Sequence, residues 1–244
     1  MMRIIKRIIK GILNQFGYKV ILPNYKNSHE LVINKLIEDH QIEVVLDVGA
    51  NTGQFAKSLR QSGFGGKIIS FEPLSSAWKE LKENSEKDEL WIVADRVALG
   101  NEIGVVEINI AGNSASSSIL SMESTCKEAA PESAYIDQEE APLSTLDHLF
   151  QIMLAAHLSG NLFLKIDTQG YELMVLEGAK SLLTHVHLVE LEISFVELYT
   201  GQVLYRQIID YMEEQGFTLW SIFPMFSDKS TSRMLQADAI FVRI

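Results

Sequence analysis

The segment VVLDVGANTGQF, residues 44–55, carries the residue types of this chain that are best suited to hold a ligand. An apolar run ends at Asp47, and Gly49, Asn51 and Gly53 follow at alternate positions. Glycine adopts left-handed backbone conformations without strain and lets a ligand approach the main chain, and asparagine tolerates the same conformation. We therefore predict that Asp47, Gly49, Asn51 and Gly53 form a cofactor-binding turn between a strand and a helix.

The spacing of the glycines discriminates between nucleotide ligands. A dinucleotide-binding fingerprint reads G-x-G-x-x-G, but this chain has Asn51 and Gln54 where the second and third glycines would fall. The sequence also lacks the G-K-S/T of a phosphate-binding loop. The turn therefore suits a ligand with an amino-acid end and a nucleoside end better than a pyrophosphate, and Asp47 is placed to meet an ammonium group.

Two further acids follow the next two apolar segments. Glu72 lies 19 residues after Gly53, and its two oxygens could accept hydrogen bonds from both hydroxyls of a ribose. Asp95 could accept a hydrogen bond from an adenine amino group. The alternatives are that Glu72 is a surface acid before Pro73, and that Asp95 is a turn residue paired with Arg96.

Alternating strands and helices must bring these residues together. The sequence predicts helices at 27–40, at 53–61, in the segment after Pro73, from the end of the strand at 162–166 to about residue 183, and at 204–215. A capping box of Asn27 and Glu30 opens the first of them. It predicts strands at 43–48, 67–71, 90–94, 105–110, 162–166, 186–194, 217–223 and 237–243. This α/β pattern is typical of one doubly wound, mostly parallel sheet, whose ligands bind at the carboxyl ends of the strands.

The charge of the chain is unevenly distributed. Residues 1–29 contain six basic and no acidic residues, which leaves 15 basic against 32 acidic residues, a balance of −17, for the remainder. An acidic body argues against a nucleic-acid partner, because contacts to phosphate dominate such binding. Cys126 is the single cysteine, so an internal disulfide is excluded, and a reducing cytosol suits the chain.

Two segments fall outside the regular pattern. Residues 1–13, MMRIIKRIIKGIL, place isoleucines on one half of a helix and basic residues on the other, within a basic segment at 1–26 that precedes one domain at 27–244. Such a helix could lie on an anionic membrane surface at the inner face of the membrane, or pack on the domain. No apolar run in it exceeds two residues before Gly11, so it is neither a transmembrane span nor the apolar region of a signal peptide. Residues 111–141 are rich in serine and acids, which indicates a lid over the substrate or an insertion without function.

Several motifs together resemble the FkbM family of S-adenosylmethionine-dependent methyltransferases. They are LDVGANTGQF, FEP, VALG at 97–100, SSS at 116–118, STLD at 144–147 and, most specific, LKIDTQGYELMVLEGA at 164–179. The resemblance covers most of the chain from residue 44 onward. It implies a Rossmann-like class I methyltransferase fold, with a seven-stranded, mostly parallel sheet, helices on both faces and a last strand, 237–243, that runs antiparallel between its neighbours. It also implies S-adenosylmethionine as the methyl donor and O-methylation of a hydroxyl on a sugar, a glycan or a natural product.

Three acids are candidates for catalysis on such a fold. Asp167 follows a buried strand beside the cofactor crevice and is the first choice to orient or deprotonate the acceptor. Glu172 lies in the first turn of the next helix, where a favourable interaction with the helix dipole is the alternative role. Glu192 lies near the carboxyl end of its strand, two residues beyond Glu190, and a buried carboxylate is costly unless it is used or paired.

A metal site is considered but not favoured. Asp167 and Glu192 could bind a divalent cation through oxygen ligands, whereas His185 and His187 enter their strand at the opposite end. The same acids could instead form a negative basin that suits a sulfonium. The prediction is a cytoplasmic methyltransferase for a small-molecule or glycan acceptor. An NAD-dependent oxidoreductase and a non-catalytic protein that binds a nucleoside cofactor are the alternatives.

Overall fold

The computed structural model describes residues 28–151 and 160–244. The chain divides into two compact units, residues 1–33 and residues 34–244. In the first unit the described residues are 28–33, which contain the beginning of helix α1 (His29–Asp39). The predicted basic segment at 1–26 and the first residue of the predicted capping box lie outside the described residues.

Ten strands and eight α-helices follow one another in the described residues. The strands are β1 (Ile42–Val48), β2 (Lys67–Phe71), β3 (Trp91–Val93), β4 (Ala98–Leu99), β5 (Gly104–Ala111), β6 (Tyr135–Ser144), β7 (Asn161–Ile166), β8 (Val186–Ser194), β9 (Thr218–Ser227) and β10 (Met234–Val242). After α1, the helices are α2 (Gln54–Gln61), α3 (Ser75–Ser85), α4 (Ser124–Ala129), α5 (Leu146–Leu149), α6 (Glu172–Glu177), α7 (Lys180–Leu183) and α8 (Tyr205–Glu214).

The larger sheet has the strand order β3-β2-β1-β7-β8-β10-β9. The first five strands of that order are parallel, and β10 pairs antiparallel with both β8 and β9. This topology confirms the predicted fold, including the reversed last strand. The central strands are continuous apolar runs because both of their faces are covered, and Phe163, Leu164 and Ile166 of β7 are completely buried.

The helical segment after β7 differs from its prediction as one helix. It is divided into α6 and α7 at Gly178, where a Cβ atom would lie 1.9 Å from the carbonyl oxygen of Gly100. The close approach of the two backbones therefore requires glycine and interrupts the helix. Asp147 of the STLD motif accepts hydrogen bonds from the backbone N–H groups of Ser181 (2.9 Å) and Leu182 (2.8 Å), so its carboxylate satisfies donors at the beginning of α7.

A second sheet corrects the expectation of a loop at 111–141. It has the order β4-β6-β5, and the register of the antiparallel β5 and β6 pairs residues 104–111 with residues 135–143. The segment therefore contains α4, two 3₁₀ turns (Ser114–Ser116 and Pro131–Ser133) and most of β6. The prediction missed β6 because its alternation of acids and apolar residues, YIDQEEAPLS, resembles a solvated loop. A role as a lid stays a prediction.

Within the described ranges, we find no helix that has both the length and the apolar character needed to cross a membrane.

Candidate active site

The predicted glycine turn connects β1 to α2 and adopts a left-handed backbone at three positions. Gly49 has φ +74°, Asn51 +47° and Gly53 +86°. A Cβ atom on Gly49 would lie 1.9 Å from the carbonyl oxygen of Asp167, and one on Gly53 would lie 2.5 Å from the Trp91 ring. The turn therefore requires glycine both for its conformation and for close packing, and it brings the ends of β1 and β7 into contact.

Glu72 follows β2 and stabilises this turn. Its Oε2 accepts a hydrogen bond from the backbone N–H of Asn51 at 2.7 Å, and its Oε1 accepts one from Leu74 at 2.9 Å. The side chain is buried, so the alternative of a surface acid is wrong. Burial raises the pKa of Glu72 to about 7, although the two backbone N–H groups oppose the shift. Each oxygen has accepted one hydrogen bond and retains a lone pair for a ribose hydroxyl.

Asp47 lies inside the sheet rather than at an open strand end. It is completely buried within β1, where its Oδ2 accepts a hydrogen bond from Ser70 Oγ at 3.4 Å and its Oδ1 lies 3.6 Å from Lys165 Nζ. Burial raises the pKa of Asp47, and the Lys165 charge opposes that shift. The structure thus places Asp47 behind the glycine turn, paired with a cation of the neighbouring strand.

Asp95 is exposed just after β3. Its predicted alternative partner, Arg96, instead forms a 2.6 Å ion pair with Glu139 of β6 and donates to the Pro73 carbonyl at 2.9 Å. The arginine therefore connects the second sheet to the turn after β2, and its ion pair is with Glu139 and not with the predicted partner Asp95.

Asp167 is partly exposed, as is Glu192, whereas the third catalytic candidate, Glu172, is buried. Its side chain is 42% exposed just beyond β7. Its Oδ2 accepts a hydrogen bond from Lys165 Nζ at 3.3 Å, and its Oδ1 accepts one from Gln169 Nε2 at 2.8 Å. Burial disfavours the charge of Lys165, but Asp167, Asp47 and Glu190 outweigh burial and raise the pKa of the amine. Lys165 is therefore a fixed cation beneath the site.

Glu192 of β8 is joined to Asp167 through an amide. Its Oε2 accepts hydrogen bonds from Gln169 Nε2 at 3.1 Å and from Gln236 Nε2, on β10, at 2.5 Å. Burial, and next the neighbouring carboxylates of Asp167 and Glu172, raise the pKa of Glu192 well above its usual value. The structure thus brings together the predicted pair, with two N–H donors on one oxygen of Glu192.

Glu172 lies in the same region but supports the loop instead of facing a ligand. It is buried, and its oxygens accept hydrogen bonds from the backbone N–H groups of Thr168 (3.0 Å) and Gly170 (3.0 Å) and from the Thr168 hydroxyl (3.2 Å). Burial raises the pKa of Glu172 to about 7, and these hydrogen bonds oppose the shift. We therefore interpret Glu172 as a residue that shapes the turn at 168–170.

The serine-rich part of the 111–141 segment contacts both sides of the site. Asn51 Nδ2 donates to Ser114 Oγ at 3.2 Å, on the side of the glycine turn. Ser118 Oγ donates to the Gln169 carbonyl at 2.6 Å, on the side of the acids. The segment therefore connects the glycine turn to the loop that carries the acids.

Four residues that surround Asp167 and Glu192 were not predicted as site residues: Lys165, Gln169, Tyr199 and Gln236. The first, second and fourth donate to these acids, and Tyr199 donates to the Gln169 side chain; together the six residues form the acid network. Lys165 interrupts a buried apolar strand, and Gln169 lies inside the most specific motif, so both carried a signal that a stricter reading could have used. Gln236 is a polar residue in the run MLQADAIFV, which is a weaker signal. Tyr199 had none, because its role depends on the loop after β8 folding back onto Gln169.

The profile of the methyltransferase FkbM domain matches residues 47–219. The chain belongs to this family. It is therefore an S-adenosylmethionine-dependent methyltransferase, which decides against the oxidoreductase and the non-catalytic alternatives. The matched range contains the glycine turn, Glu72 and the acids at 167, 172 and 192, whereas β10 with Gln236 lies beyond it.

Solved structures include distant likenesses to methyltransferases. Magnesium protoporphyrin IX methyltransferase from Synechocystis, solved with S-adenosylmethionine, is 12% identical with a TM-score of 0.46 and aligns over 98% of this chain and 97% of its own. A putative tRNA methyltransferase from Streptococcus pneumoniae is 12% identical, with a TM-score of 0.47 over 86% and 72%. A putative RNA methyltransferase from Pyrococcus horikoshii is 14% identical, with a TM-score of 0.43 over 88% and 81%. No curated protein matches the chain.

Proposed function

We propose that this FkbM methyltransferase methylates a hydroxyl group of a sugar, a glycan or a natural product, with Asp167 as the residue that orients or deprotonates the hydroxyl. The observation that carries the proposal is the exposure of Asp167 beside the glycine turn. Its side chain is 42% exposed, whereas Glu172 is 4% exposed and is occupied by the backbone of its own loop.

The cofactor would bind along the carboxyl ends of β1, β2 and β3. Gly49, Asn51 and Gly53 would provide backbone that a ligand can approach, Glu72 would accept from the ribose hydroxyls, and Asp95 would face the adenine. Asp47 would not contact the cofactor; it would stabilise the strand end that precedes the turn through its ion pair with Lys165 of β7. S-adenosylmethionine, when bound, supplies an activated methyl group on a cationic sulfur.

The chain's own residues then have two tasks. Alignment of two bound reactants can account for about 7–11 kcal/mol of the barrier, and general-base assistance typically adds about 10²–10⁴-fold. Asp167 can perform the second task, because each of its oxygens has accepted one hydrogen bond and keeps a lone pair for the acceptor O–H. Lys165 places a positive charge 3.3 Å from Asp167 Oδ2 and so helps to orient that carboxyl group.

Charge supports an uncharged acceptor over a nucleic acid. Among the described residues around the acid network, Lys165 is 8% exposed and already lies between Asp47 and Asp167. Arg96 is paired with Glu139. Of the described residues, these two cations are therefore already paired, so a phosphate near Asp167 and Glu192 would meet two acids, whereas a polyol can donate to both.

We further propose a cytoplasmic location with contact to an anionic membrane through residues 1–13. The proposal rests on the amphipathic sequence pattern. Deletion of residues 1–13 is expected to abolish sedimentation with phosphatidylglycerol vesicles and to leave binding of S-adenosylhomocysteine intact. Equal sedimentation of both proteins would refute it.

The proposed reaction is tested in two steps with the purified full chain. Calorimetric titration is expected to show binding of S-adenosylhomocysteine and no binding of NAD. Tritiated S-adenosylmethionine is then incubated with neutral glycans, with lipid-linked sugars and with total RNA. Label in either sugar fraction supports the proposal. Label in RNA alone would agree with methyltransferase activity but would overturn the proposed class of acceptor.

A further inference from the structure

Gln169 has a backbone conformation that is unusual for its residue type. Its φ is +54°, and the next residue, Gly170, has φ +100°. A left-handed conformation is unfavourable for a residue other than glycine, and it persists where surrounding contacts hold it. Contacts of its side chain and of its backbone hold Gln169 in this way.

The side-chain amide of Gln169 lies between two carboxylates and a phenol. Its Nε2 donates to Asp167 Oδ1 at 2.8 Å and to Glu192 Oε2 at 3.1 Å, and its Oε1 accepts from the Tyr199 hydroxyl at 2.8 Å. Tyr199 is 1% exposed, and burial raises the pKa of its phenol, so the hydroxyl keeps its proton and donates. The Tyr199 hydroxyl lies 2.8 Å from the amide oxygen and 3.5 Å from the Ser116 carbonyl oxygen, so the amide oxygen is its nearer acceptor and the amide nitrogen faces the acids.

The backbone of Gln169 makes a separate connection. Its carbonyl accepts a hydrogen bond from Ser118 Oγ at 2.6 Å, and Ser118 Oγ in turn accepts one from the backbone N–H of Leu120 at 3.1 Å. Ser118 is 2% exposed, so this hydrogen bond is protected from water. One residue therefore links β7, β8, the loop after β8 and the serine-rich segment.

We propose that Gln169 is a positioning residue for methyl transfer, whose amide holds Asp167 and Glu192 in a fixed orientation and is itself fixed by Tyr199. The proposal rests on the proposed function for the role of Asp167. Each N–H of the amide is committed to one carboxylate, so neither acid can rotate away without losing a charge-assisted hydrogen bond. The side chain does not need to touch a substrate to act in this way.

The electrostatic surroundings make the amide difficult to replace. Glu192 faces the carboxylates of Asp167 on the β7 side, of Glu172 on α6 and of Asp238 on β10, and Lys165 opposes them with one positive charge. A neutral donor between Asp167 and Glu192 stabilises both acids. A third carboxylate at the same place would repel them.

The first test compares four full-length variants by carbon-13 NMR of labelled glutamate carboxyls, with the Glu192 signal assigned from Glu192→Gln. Removal of the amide in Gln169→Leu is expected to raise the pKa of Glu192 by about one unit or more, because an ionised carboxylate loses a donor. The isosteric Gln169→Glu should raise it further, and Tyr199→Phe should raise it less. Gln138→Glu, on exposed β6, adds the same charge elsewhere and should leave it unchanged.

The second test is methyl transfer to whichever sugar fraction the wild type labels. Gln169→Glu should lower turnover at pH 8 by about 10- to 100-fold, the size expected when a hydrogen bond to a charged group is lost. The deficit relative to wild type should shrink at pH 6, because the introduced carboxyl can take a proton and donate again. Binding of S-adenosylhomocysteine should change by less than about threefold, since the amide does not lie in the glycine turn.

The two tests separate the possible failures. If Gln169→Leu does not fold, the isosteric Gln169→Glu and Tyr199→Phe decide the NMR test. Unchanged titration of Glu192 in these variants would overturn the positioning role, whatever the acceptor is. If wild type labels no hydroxyl acceptor while Glu192 shifts as expected, the proposed function fails and the amide still holds the acids.

Discussion

The two halves of the site are built in different ways. On the side of β1 and β2, the glycine turn presents backbone, and the nearby carboxylates of Asp47 and Glu72 are buried and held by the protein itself. On the side of β7 and β8, side chains form the surface, and Asp167 remains accessible within a network of amides and acids.

This difference separates binding from chemistry. A ligand held by backbone depends on conformations that few residues can adopt, so substitutions there should affect affinity and folding together. A reaction assisted by a side chain depends on one positioned group, so substitutions there should affect turnover with little change in cofactor affinity. Substitutions on the two sides, with turnover, cofactor affinity and stability measured separately, test this division.

The largest expected effect is on turnover in Asp167→Asn. The amide cannot accept the proton of the acceptor hydroxyl, so turnover should fall about 10²–10⁴-fold, the usual contribution of a general base. Calorimetry should show S-adenosylhomocysteine affinity within about threefold of wild type. Asp210→Asn, at an exposed position of α8, is the matched control and should have normal turnover. Near-normal turnover in Asp167→Asn would remove this residue from the mechanism.

The glycine turn is tested by Gly49→Ala. The new Cβ would meet the Asp167 carbonyl, and φ is +74°, so we expect a loss of about 2–5 kcal/mol in the free energy of unfolding and loss of detectable cofactor binding. Gly63→Ala is the control, because Gly63 has φ +98° and no atom within 4 Å of a Cβ. It should cost about 1–2 kcal/mol, from conformation alone. Equal losses in urea unfolding would show that packing against Asp167 is unimportant.

The pH dependence of stability tests whether Glu172 belongs to the structural part of the site. Its pKa rises from 4.5 to about 7 on folding, so between these values the folded protein keeps a proton that the unfolded chain releases. The free energy of unfolding should therefore fall as pH rises from 4.5 to 7, by up to about 3 kcal/mol for this group.

Urea unfolding at pH 5, 6, 7 and 8 measures this contribution. Glu172→Gln cannot titrate and should show a shallower decline than wild type, while Glu72, whose pKa is also raised to about 7, still contributes. Glu83→Gln, an exposed substitution on α3, should follow wild type. Parallel curves for wild type and Glu172→Gln would contradict the assignment.

The smallest expected effect is that of metal removal. Two amide nitrogens donate to Glu192 Oε2, and one of them also donates to Asp167 Oδ1, so a divalent cation at these oxygens would have to share them with N–H donors. Turnover measured after dialysis against EDTA should equal that of the untreated enzyme, and added Mg²⁺ or Mn²⁺ should not raise it. If EDTA abolished the activity and Mg²⁺ restored it, Asp167 and Glu192 would be assigned to metal binding.

The sequence predicted the fold well, for physical reasons. Buried parallel strands are continuous apolar runs, so β1, β2, β7 and β8 were recognisable, and Asp167 was found because it follows such a run. The environment of each acid was not predictable in the same way. Asp47 and Glu72 stand in similar motif positions, yet one is paired with a lysine of another strand and the other accepts backbone hydrogen bonds.

The acid network shows why the remainder could not be predicted. Gln169, Tyr199 and Gln236 are up to 67 residues apart, and their contacts depend on strand order, loop direction and side-chain rotamers. The pattern of apolar and polar residues along a segment indicates whether it is a helix or a strand and which residues are buried. It does not indicate which polar side chains of different elements contact one another. The second sheet was missed in part for a related reason, since β6 became recognisable only through its pairing with β5.

The position of β10 gives the enzyme an order of assembly. β10 follows β9 in the chain but inserts between β8 and β9, and it carries the Gln236 amide that completes the surroundings of Glu192. During synthesis, the glycine turn and the acids would therefore leave the ribosome well before β10 is available to pair with β8 and β9. Until then β8 has an open edge that attracts other strands, so nascent chains stalled before β10 should require chaperone protection and should have no methyltransferase activity.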